Sequence, residues 1–174
     1  ERLREKLLEA ENLIDIVAGP DTYRHLPSLI EEAEEGRKAV NIQLSRSETY
    51  ADINPLHYDN NGISAFVSIM RGCNNMCSYC IVPYVRGAER SRDPYSILNE
   101  IKRLFNTGHR EVTLLGQNVN SYRWSSEKGS MEFHTLIQKV AETSPLLRVR
   151  FTTSHPKDLS EDLLKTIAAN NNIC

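Results

Sequence analysis

Apolar positions follow a repeating strand–helix pattern along the second part of the chain, from residue 63 onward. Short apolar runs predict three strands, at residues 63–70, 112–115 and 147–152. Apolar residues at helical spacing follow each run, and the helices are predicted to begin near Asp93, Phe133 and Ser160. Three consecutive strand–helix units imply a parallel sheet with right-handed crossovers. We therefore predict an α/β fold containing a partial (βα) parallel-sheet barrel.

The second strand and the segments after it carry further expectations. Residues 112–115 are nearly all apolar, as in a parallel strand that is buried on both faces. Residues 116–129 are predicted to form a loop. Ile173 and Cys174 are predicted to begin a fourth strand.

Residues 1–45 show a shorter alternation of helix and strand patterns, with Gly36 as the expected end of one helix. Residues 46–62 are polar and contain Pro55 and Gly62, so we interpret them as a linker. The predicted organisation is an α/β domain at 1–45, a linker at 46–62 and the partial barrel at 63–174. Because both ends interrupt a pattern, we expect the chain to be a fragment of a longer protein.

Composition narrows the class of protein. A chain of 174 residues can bury one good core, and 40% hydrophobic with 25% charged residues is ordinary for a soluble protein. No apolar stretch approaches the ~18 residues needed to cross a bilayer, and no secretory signal opens the chain. We therefore predict a cytoplasmic protein with no membrane partner. The formal net charge of -2 argues against extensive coating by nucleic acid.

The chemistry is concentrated in one short loop directly after the first strand of the barrel. Cys73, Cys77 and Cys80 form a C-x3-C-x2-C triplet and are three of the four cysteines in the chain. Thiolates this close repel one another unless a cation neutralises them, which favours a bound metal. Proteins normally bind a four-iron cluster through four thiolates, so three would leave one iron open to a small molecule.

Other interpretations of the triplet are weaker. A zinc site needs four ligands, and the fourth would have to come from His57, His109 or Cys174, none of which lies at a short zinc-binding spacing. A disulfide framework does not fit a chain with no secretory signal. Chance cysteines in a core would not explain their clustering.

Polar residues follow each predicted strand, where barrels of this kind keep their chemistry. The cysteine loop follows the first strand, residues 116–122 the second and residues 153–156 the third. These clusters are expected to meet on one rim and to hold a polar cofactor. Gln117 and Asn118 are the favoured contacts there, and the alternative is that they only build a turn.

Four stretches together resemble the methylthiotransferase branch of the radical S-adenosylmethionine (SAM) enzymes, and the resemblance covers essentially the whole chain. They are residues 72–84 with Arg86 and Gly87, residues 89–92, residues 114–122 and residues 150–156. The loop 116–122 resembles that of members that modify tRNA, whereas members acting on a ribosomal protein carry a different loop. Arg86, Arg90 and Arg92 match the pattern, and we interpret them either as a solvated basic loop or as phosphate contacts.

The resemblance implies a barrel of the radical SAM type and a set of cofactor roles. Cys73, Cys77 and Cys80 are implied as ligands of a [4Fe-4S] cluster whose open iron is chelated by SAM. Tyr79, Gln117, Asn118 and Ser154 are the implied or expected SAM-binding residues. Reducing power would come from an electron donor.

The reaction implied by the resemblance is methylthiolation at C2 of an isopentenylated adenosine beside the tRNA anticodon. A second, auxiliary [4Fe-4S] cluster, an RNA-binding domain and the rest of the barrel are expected only in the full-length protein. The chain alone is therefore expected to be inactive, and either to self-associate through an exposed sheet edge or to be partly disordered near its C-terminus. The alternative functions are methylthiolation of a ribosomal protein and a zinc-stabilised nucleic-acid-binding module.

Overall fold

The computed structural model of the chain describes residue 8 and residues 13–53, 55, 62–127 and 129–174. Two compact units are distinguished. The first comprises residues up to Glu48 together with Asn74–Ala88, and the second comprises Thr49–Cys73 and Glu89–Cys174. Most of the helix expected at the start of the chain, and residues 54 and 56–61 of the expected linker, lie outside the described residues. The division at 1–45, 46–62 and 63–174 stays a prediction.

From residue 13 onward, the described part of the first unit contains a small parallel pair of strands and two helices. Strand β1 (Ile16–Ala18) pairs with β2 (Ala39–Asn41), and helix α1 (Leu26–Glu34) connects them after a short 3-10 turn. Gly36 has a φ of +80° just after α1, which confirms it as the residue that ends this helix. Helix α2 (Val82–Arg86) belongs to the same unit and follows the last cysteine of the triplet.

The second unit contains seven strands and three helices among its described residues. The strands are β3 (Ser64–Ser68), β4 (Met70–Arg71), β5 (Arg90–Ser91), β6 (Glu111–Leu115), β7 (Arg123–Ser126), β8 (Gly129–Glu132) and β9 (Arg148–Phe151). The helices are α3 (Pro94–Asn106), α4 (Phe133–Ala141) and α5 (Glu161–Ala169). Strands β3, β6 and β9 form a parallel sheet in that order, which confirms the three predicted strand–helix units.

Side-chain caps confirm two of the predicted helix starts, those at Asp93 and Ser160. The Asp93 carboxylate accepts a hydrogen bond from the Ser96 backbone N–H at 2.7 Å, and Pro94 occupies the first helical turn. The Ser160 hydroxyl accepts one from the Leu163 backbone N–H at 3.1 Å. Each cap satisfies a backbone N–H that the helix itself leaves without a partner.

A single core lies between the helices and one face of the parallel sheet. Its sheet side consists of small and branched residues at alternate positions, namely Ala65, Val67, Val112, Leu114 and Val149. Its helix side consists of the predicted apolar stripes, including Ile97, Ile101, Leu104, Leu136, Ile137 and Val140. Burying each branched side chain contributes about 1.5–3 kcal/mol, so this face accounts for most of the unit's cohesion.

The expectation that β6 is buried on both faces is wrong. Val112 and Leu114 are fully buried, whereas the alternate residues Thr113 and Leu115 are only half-buried. On the same face as Thr113, Phe66 is 66% exposed. Among the described residues the helices pack against the other face of the sheet. The face of β6 that carries Thr113 is therefore partly exposed to solvent, although the strand is largely apolar.

The expectation of a loop over residues 116–129 is also wrong in part. The segment contains a 3-10 turn at Val119–Ser121 and then strand β7, which pairs with β8 in an antiparallel hairpin. The Trp124 ring packs edge-on against Tyr95 of α3 at 6.1 Å between centroids. The hairpin is stabilised by this contact with a distant helix, and the local sequence carries little sign of it. Ile173 forms a single parallel bridge to Val149 where a fourth strand was expected.

Candidate functional site

The cysteine loop begins at Gly72, directly after strand β4. Cys73 is buried and Cys77 and Cys80 are half-buried, and none of the three forms a disulfide. The Cys80 backbone N–H donates to the Cys77 carbonyl at 3.0 Å, which closes a tight turn between these two cysteines. Tyr79 lies in that turn and is 90% exposed.

The donor set fits the expected cluster in its chemistry. Cysteine side chains are the ligands that iron–sulfur clusters use, and the three within these eight residues form no disulfide. Within the described parts of the chain, no three Cys, His, Asp or Glu side chains lie close enough together to hold a metal ion. The ligand roles of Cys73, Cys77 and Cys80 therefore stay a prediction, and metal binding would have to complete the gathering of the loop.

The structure describes two of the three candidates for a fourth zinc ligand. His109 is buried at the end of α3, where its Nδ1 lies 3.1 Å from the Leu104 carbonyl oxygen. The His109 side chain therefore lies within hydrogen-bond distance of a carbonyl in the last turn of that helix. Cys174 is exposed, and His57 lies outside the described residues.

Gln117 connects the end of β6 to the start of the cysteine loop. Its side-chain oxygen accepts a hydrogen bond from the Gly72 backbone N–H at 2.6 Å. The preceding Gly116 lies against Met70, and a Cβ at position 116 would come within 2.3 Å of the Met70 Cγ. The end of β6 is therefore joined to β4 and to the residue after it by packing and by a hydrogen bond.

Asn118 and Asn120 connect the same loop to the segment after β9. Asn118 is 2% exposed, and its Nδ2 donates to Asp158 at 2.7 Å while its Oδ1 accepts from the His155 N–H at 3.0 Å. The Asn120 Nδ2 donates to the His155 carbonyl at 2.9 Å. The predicted meeting of the second and third polar clusters is thus observed, and both amide atoms of Asn118 are used within the protein.

Two residues between these loops have distinct environments. Thr153 has a φ of +66°, a conformation that is rare for a residue other than glycine, and its carbonyl accepts from the Val119 N–H at 2.9 Å. Ser154 next to it is exposed. The proposed cofactor contacts of Tyr79, Gln117, Asn118 and Ser154 stay predictions.

Sequence reasoning missed the importance of Glu89. The Ser121 hydroxyl donates to its carboxylate at 2.6 Å. Burial raises the pKa of the Glu89 carboxyl, and the neighbouring Asp158 adds to this, while the hydrogen bond from Ser121 and the charge of Arg123 act in the opposite direction. A lone acid in a turn-like segment gives no sequence signal for such an environment.

The solvated interpretation of the basic segment is wrong for two of its three arginines. Arg90 and Arg92 are both buried, whereas Arg86 is exposed. The Arg92 guanidinium donates to Glu100 at 2.5 Å and to the Ser68 carbonyl at 3.2 Å, and its own carbonyl accepts from the Tyr122 hydroxyl at 2.7 Å. Arg92 therefore joins β3, α3 and the loop after β6.

The family profile described as the Radical SAM superfamily matches residues 67–173, which include the cysteine loop, strands β6 and β9, and the last two residues of β3. The chain belongs to the radical SAM superfamily. This assignment agrees with the fold and with the resemblance of the cysteine spacing.

Curated relatives of this radical SAM chain align along its whole length. It is 56% identical over 185 residues to the tRNA-2-methylthio-N(6)-dimethylallyladenosine synthase of Amoebophilus asiaticus. It is 58% identical over 174 residues to the protein of the same name from Chloroherpeton thalassium. The chain spans 38% of the length of each of these relatives.

Solved structures support the radical SAM fold. A structure of TsrM, a radical SAM methyltransferase from Kitasatospora setae, bound to tryptophan and a SAM analogue, matches 88% of this chain and 35% of its own. The TM-score is 0.58 and the identity 17%. A structure of the same enzyme with cobalamin and a [4Fe-4S] cluster matches 65% of this chain and 22% of its own, at a TM-score of 0.50 and 18% identity.

The described part of the radical SAM chain contains no helix that is both long and apolar enough to cross a membrane.

Proposed function

We propose that this chain is part of a radical SAM enzyme that attaches a methylthio group to C2 of an isopentenylated adenosine in tRNA. The observation that carries the proposal is the C-x3-C-x2-C triplet of cysteines, which form no disulfide and follow the first strand of the parallel sheet. Identities of 56% and 58% to tRNA methylthiolating synthases along the whole chain support the substrate class.

The proposed cofactors are a [4Fe-4S] cluster held by Cys73, Cys77 and Cys80 and a SAM molecule at its open iron. When bound, they supply the radical chemistry, and the protein supplies position and a dry environment. Tyr79 and Ser154 offer exposed side chains to the cofactor. Gln117 and Asn118 are proposed as further SAM contacts, and each also bonds within the protein. An amide group has two N–H donors and two acceptor lone pairs, so these bonds leave capacity for a ligand.

Other parts of the proposed reaction lie beyond this chain. We assign the auxiliary [4Fe-4S] cluster, the main contacts with tRNA and the docking of an electron donor to the full-length protein. This chain spans 38% of the length of its relatives. For the chain alone we propose self-association through an edge of the β3–β6–β9 sheet. A single monomeric mass by light scattering at high protein concentration would contradict that association.

The function is tested with the full-length gene in a bacterial strain that lacks its own tRNA methylthiotransferase. Purified tRNA is digested to nucleosides, which are separated by chromatography and identified by mass spectrometry. We expect the 2-methylthio form of the isopentenylated adenosine to reappear with the wild-type gene and with Cys174→Ala, and not with Cys73→Ala. A methylthiolated ribosomal protein with unmodified tRNA would reject this function in favour of the protein-modifying alternative.

A further inference from the structure

We propose that Gln117 is a positioning residue, whose side-chain oxygen holds Gly72 and thereby fixes the Cys73 thiol before iron is bound. The inference rests on the proposed function for the identity of the cluster. It gives Gln117 a role through the cysteine loop, which is distinct from a direct contact with SAM.

The first support is the conformation of Gly72. This residue is buried and has a φ of +73°, a left-handed conformation that favours glycine. The chain therefore turns away from β4 at Gly72, and the backbone N–H needs an acceptor because a buried donor without one is costly. The Gln117 oxygen, 45 residues further along the chain, provides it at 2.6 Å.

The second support is the rigidity of the segment that presents Gln117. On one side, Gly116 lies so close to Met70 that a Cβ could not be added without a shift. On the other side, the buried Asn118 side chain is held by Asp158 and His155. Gln117 therefore projects from a backbone that is fixed at both neighbouring residues, and it transmits that position to Gly72.

The chemical consequence concerns the ligand that follows Gly72. Cys73 is the buried member of the triplet, whereas Cys77 and Cys80 are half-buried. A ligand that is already in place loses less conformational freedom when the metal binds. Outer partners of metal ligands typically contribute 10–100-fold to metal affinity, and we assign an effect of about that size to Gln117.

The test compares two variants that separate the acceptor from the rest of the amide. Gln117→Leu removes the acceptor, and Gln117→Glu keeps an acceptor at the same reach while removing the N–H donor. Gln138→Leu is the matched control, because Gln138 is exposed and its side chain donates to Glu142, four residues further along the chain. Thermal unfolding of each variant checks that the fold is retained.

The first measurement is hydrogen exchange of the Gly72 amide in the iron-free chain, followed by NMR. We expect exchange about ten-fold faster in Gln117→Leu than in the wild type, with Gln117→Glu and Gln138→Leu close to the wild type. Equal exchange in Gln117→Leu and the wild type would overturn the proposal. This measurement needs no iron, so it stands apart from the test of the cluster itself.

The second measurement is the rate at which a chelator removes iron from the anaerobically reconstituted chain. We expect loss about 10–100-fold faster from Gln117→Leu, and near the wild-type rate from Gln117→Glu. Fast loss from both variants would overturn the proposal, since it would assign the effect to the amide N–H. A wild-type chain that takes up no iron and sulfide would reject the cluster, and the positioning role with it, even if the Gly72 exchange behaves as expected.

Discussion

The Arg92 guanidinium lies 2.5 Å from the Glu100 carboxylate, and both side chains are buried, with exposures of 7% and 2%. A buried pair of this kind contributes little net stability, but losing one partner leaves an uncompensated charge in the core. We therefore expect Glu100→Leu to lower the free energy of unfolding by about 3–5 kcal/mol. Urea denaturation of the purified chain measures this.

The double variant Arg92→Met with Glu100→Leu provides the internal comparison for that prediction. Replacing both charges by apolar side chains removes the isolated charge, so most of the lost stability should return. Lys165→Met serves as the surface control, because its pair with Glu161 is exposed and contributes about 0–0.5 kcal/mol. A double variant that is no more stable than Glu100→Leu would contradict this account.

Glycine fits at position 116 because any Cβ there would require the Met70 side chain or the backbone to shift. A Cβ at position 116 would lie 2.3 Å from the Met70 Cγ and 2.9 Å from its sulfur atom. Because Met70 is fully buried, we expect Gly116→Ala to cost about 1–3 kcal/mol of unfolding free energy. The same substitution in a Met70→Ala background should cost clearly less, and an equal cost in both backgrounds would show that Met70 is not the obstacle.

The fold was largely predictable because its helices and strands bury periodic apolar side chains. The stripe Ile97, Ile101 and Leu104 and the cap at Asp93 are local signals, and both are realised in α3. The hairpin of β7 and β8 was not predictable in this way. It depends on Trp124 meeting Tyr95 of a separate helix, a contact that local periodicity does not encode.

In the candidate site, too, the features set by local sequence were predictable, whereas the contacts between residues distant in the chain were not. The cysteine spacing is a local signal that indicated the chemistry. The partner of Gln117 is not local, since Gly72 lies 45 residues away. Arg92 follows Ser91 in a segment that resembles a solvated basic loop, and only the fold shows that Glu100 and the Ser68 carbonyl receive its guanidinium.

The cysteine triplet is predicted to bind the cluster, and a variant of the fourth cysteine, Cys174, serves as the experimental control. After anaerobic reconstitution with iron and sulfide, the wild-type chain should be brown and contain about four irons. Cys73→Ala, Cys77→Ala and Cys80→Ala should each be colourless or nearly so. Cys174→Ala should match the wild type, because Cys174 is exposed and outside the loop. Iron and acid-labile sulfide analyses measure the result, and stoichiometric zinc in place of iron would contradict it.

Glu89 should make the stability of the chain depend on pH in a defined direction. Burial raises the pKa of the Glu89 carboxyl in the folded chain above that in the unfolded chain. The folded state therefore holds this proton more tightly, so the contribution of Glu89 to stability is most favourable at low pH and is lost as the pH rises through the folded-state pKa. Glu89→Gln removes the charge and keeps an oxygen that can accept from Ser121. We expect this variant to gain stability over the wild type at neutral pH, and the gain to shrink from about pH 8 to about pH 4. Urea denaturation across that range measures it, with the exposed Glu142→Gln as the control, and a gain that grows as the pH falls would contradict the assigned direction.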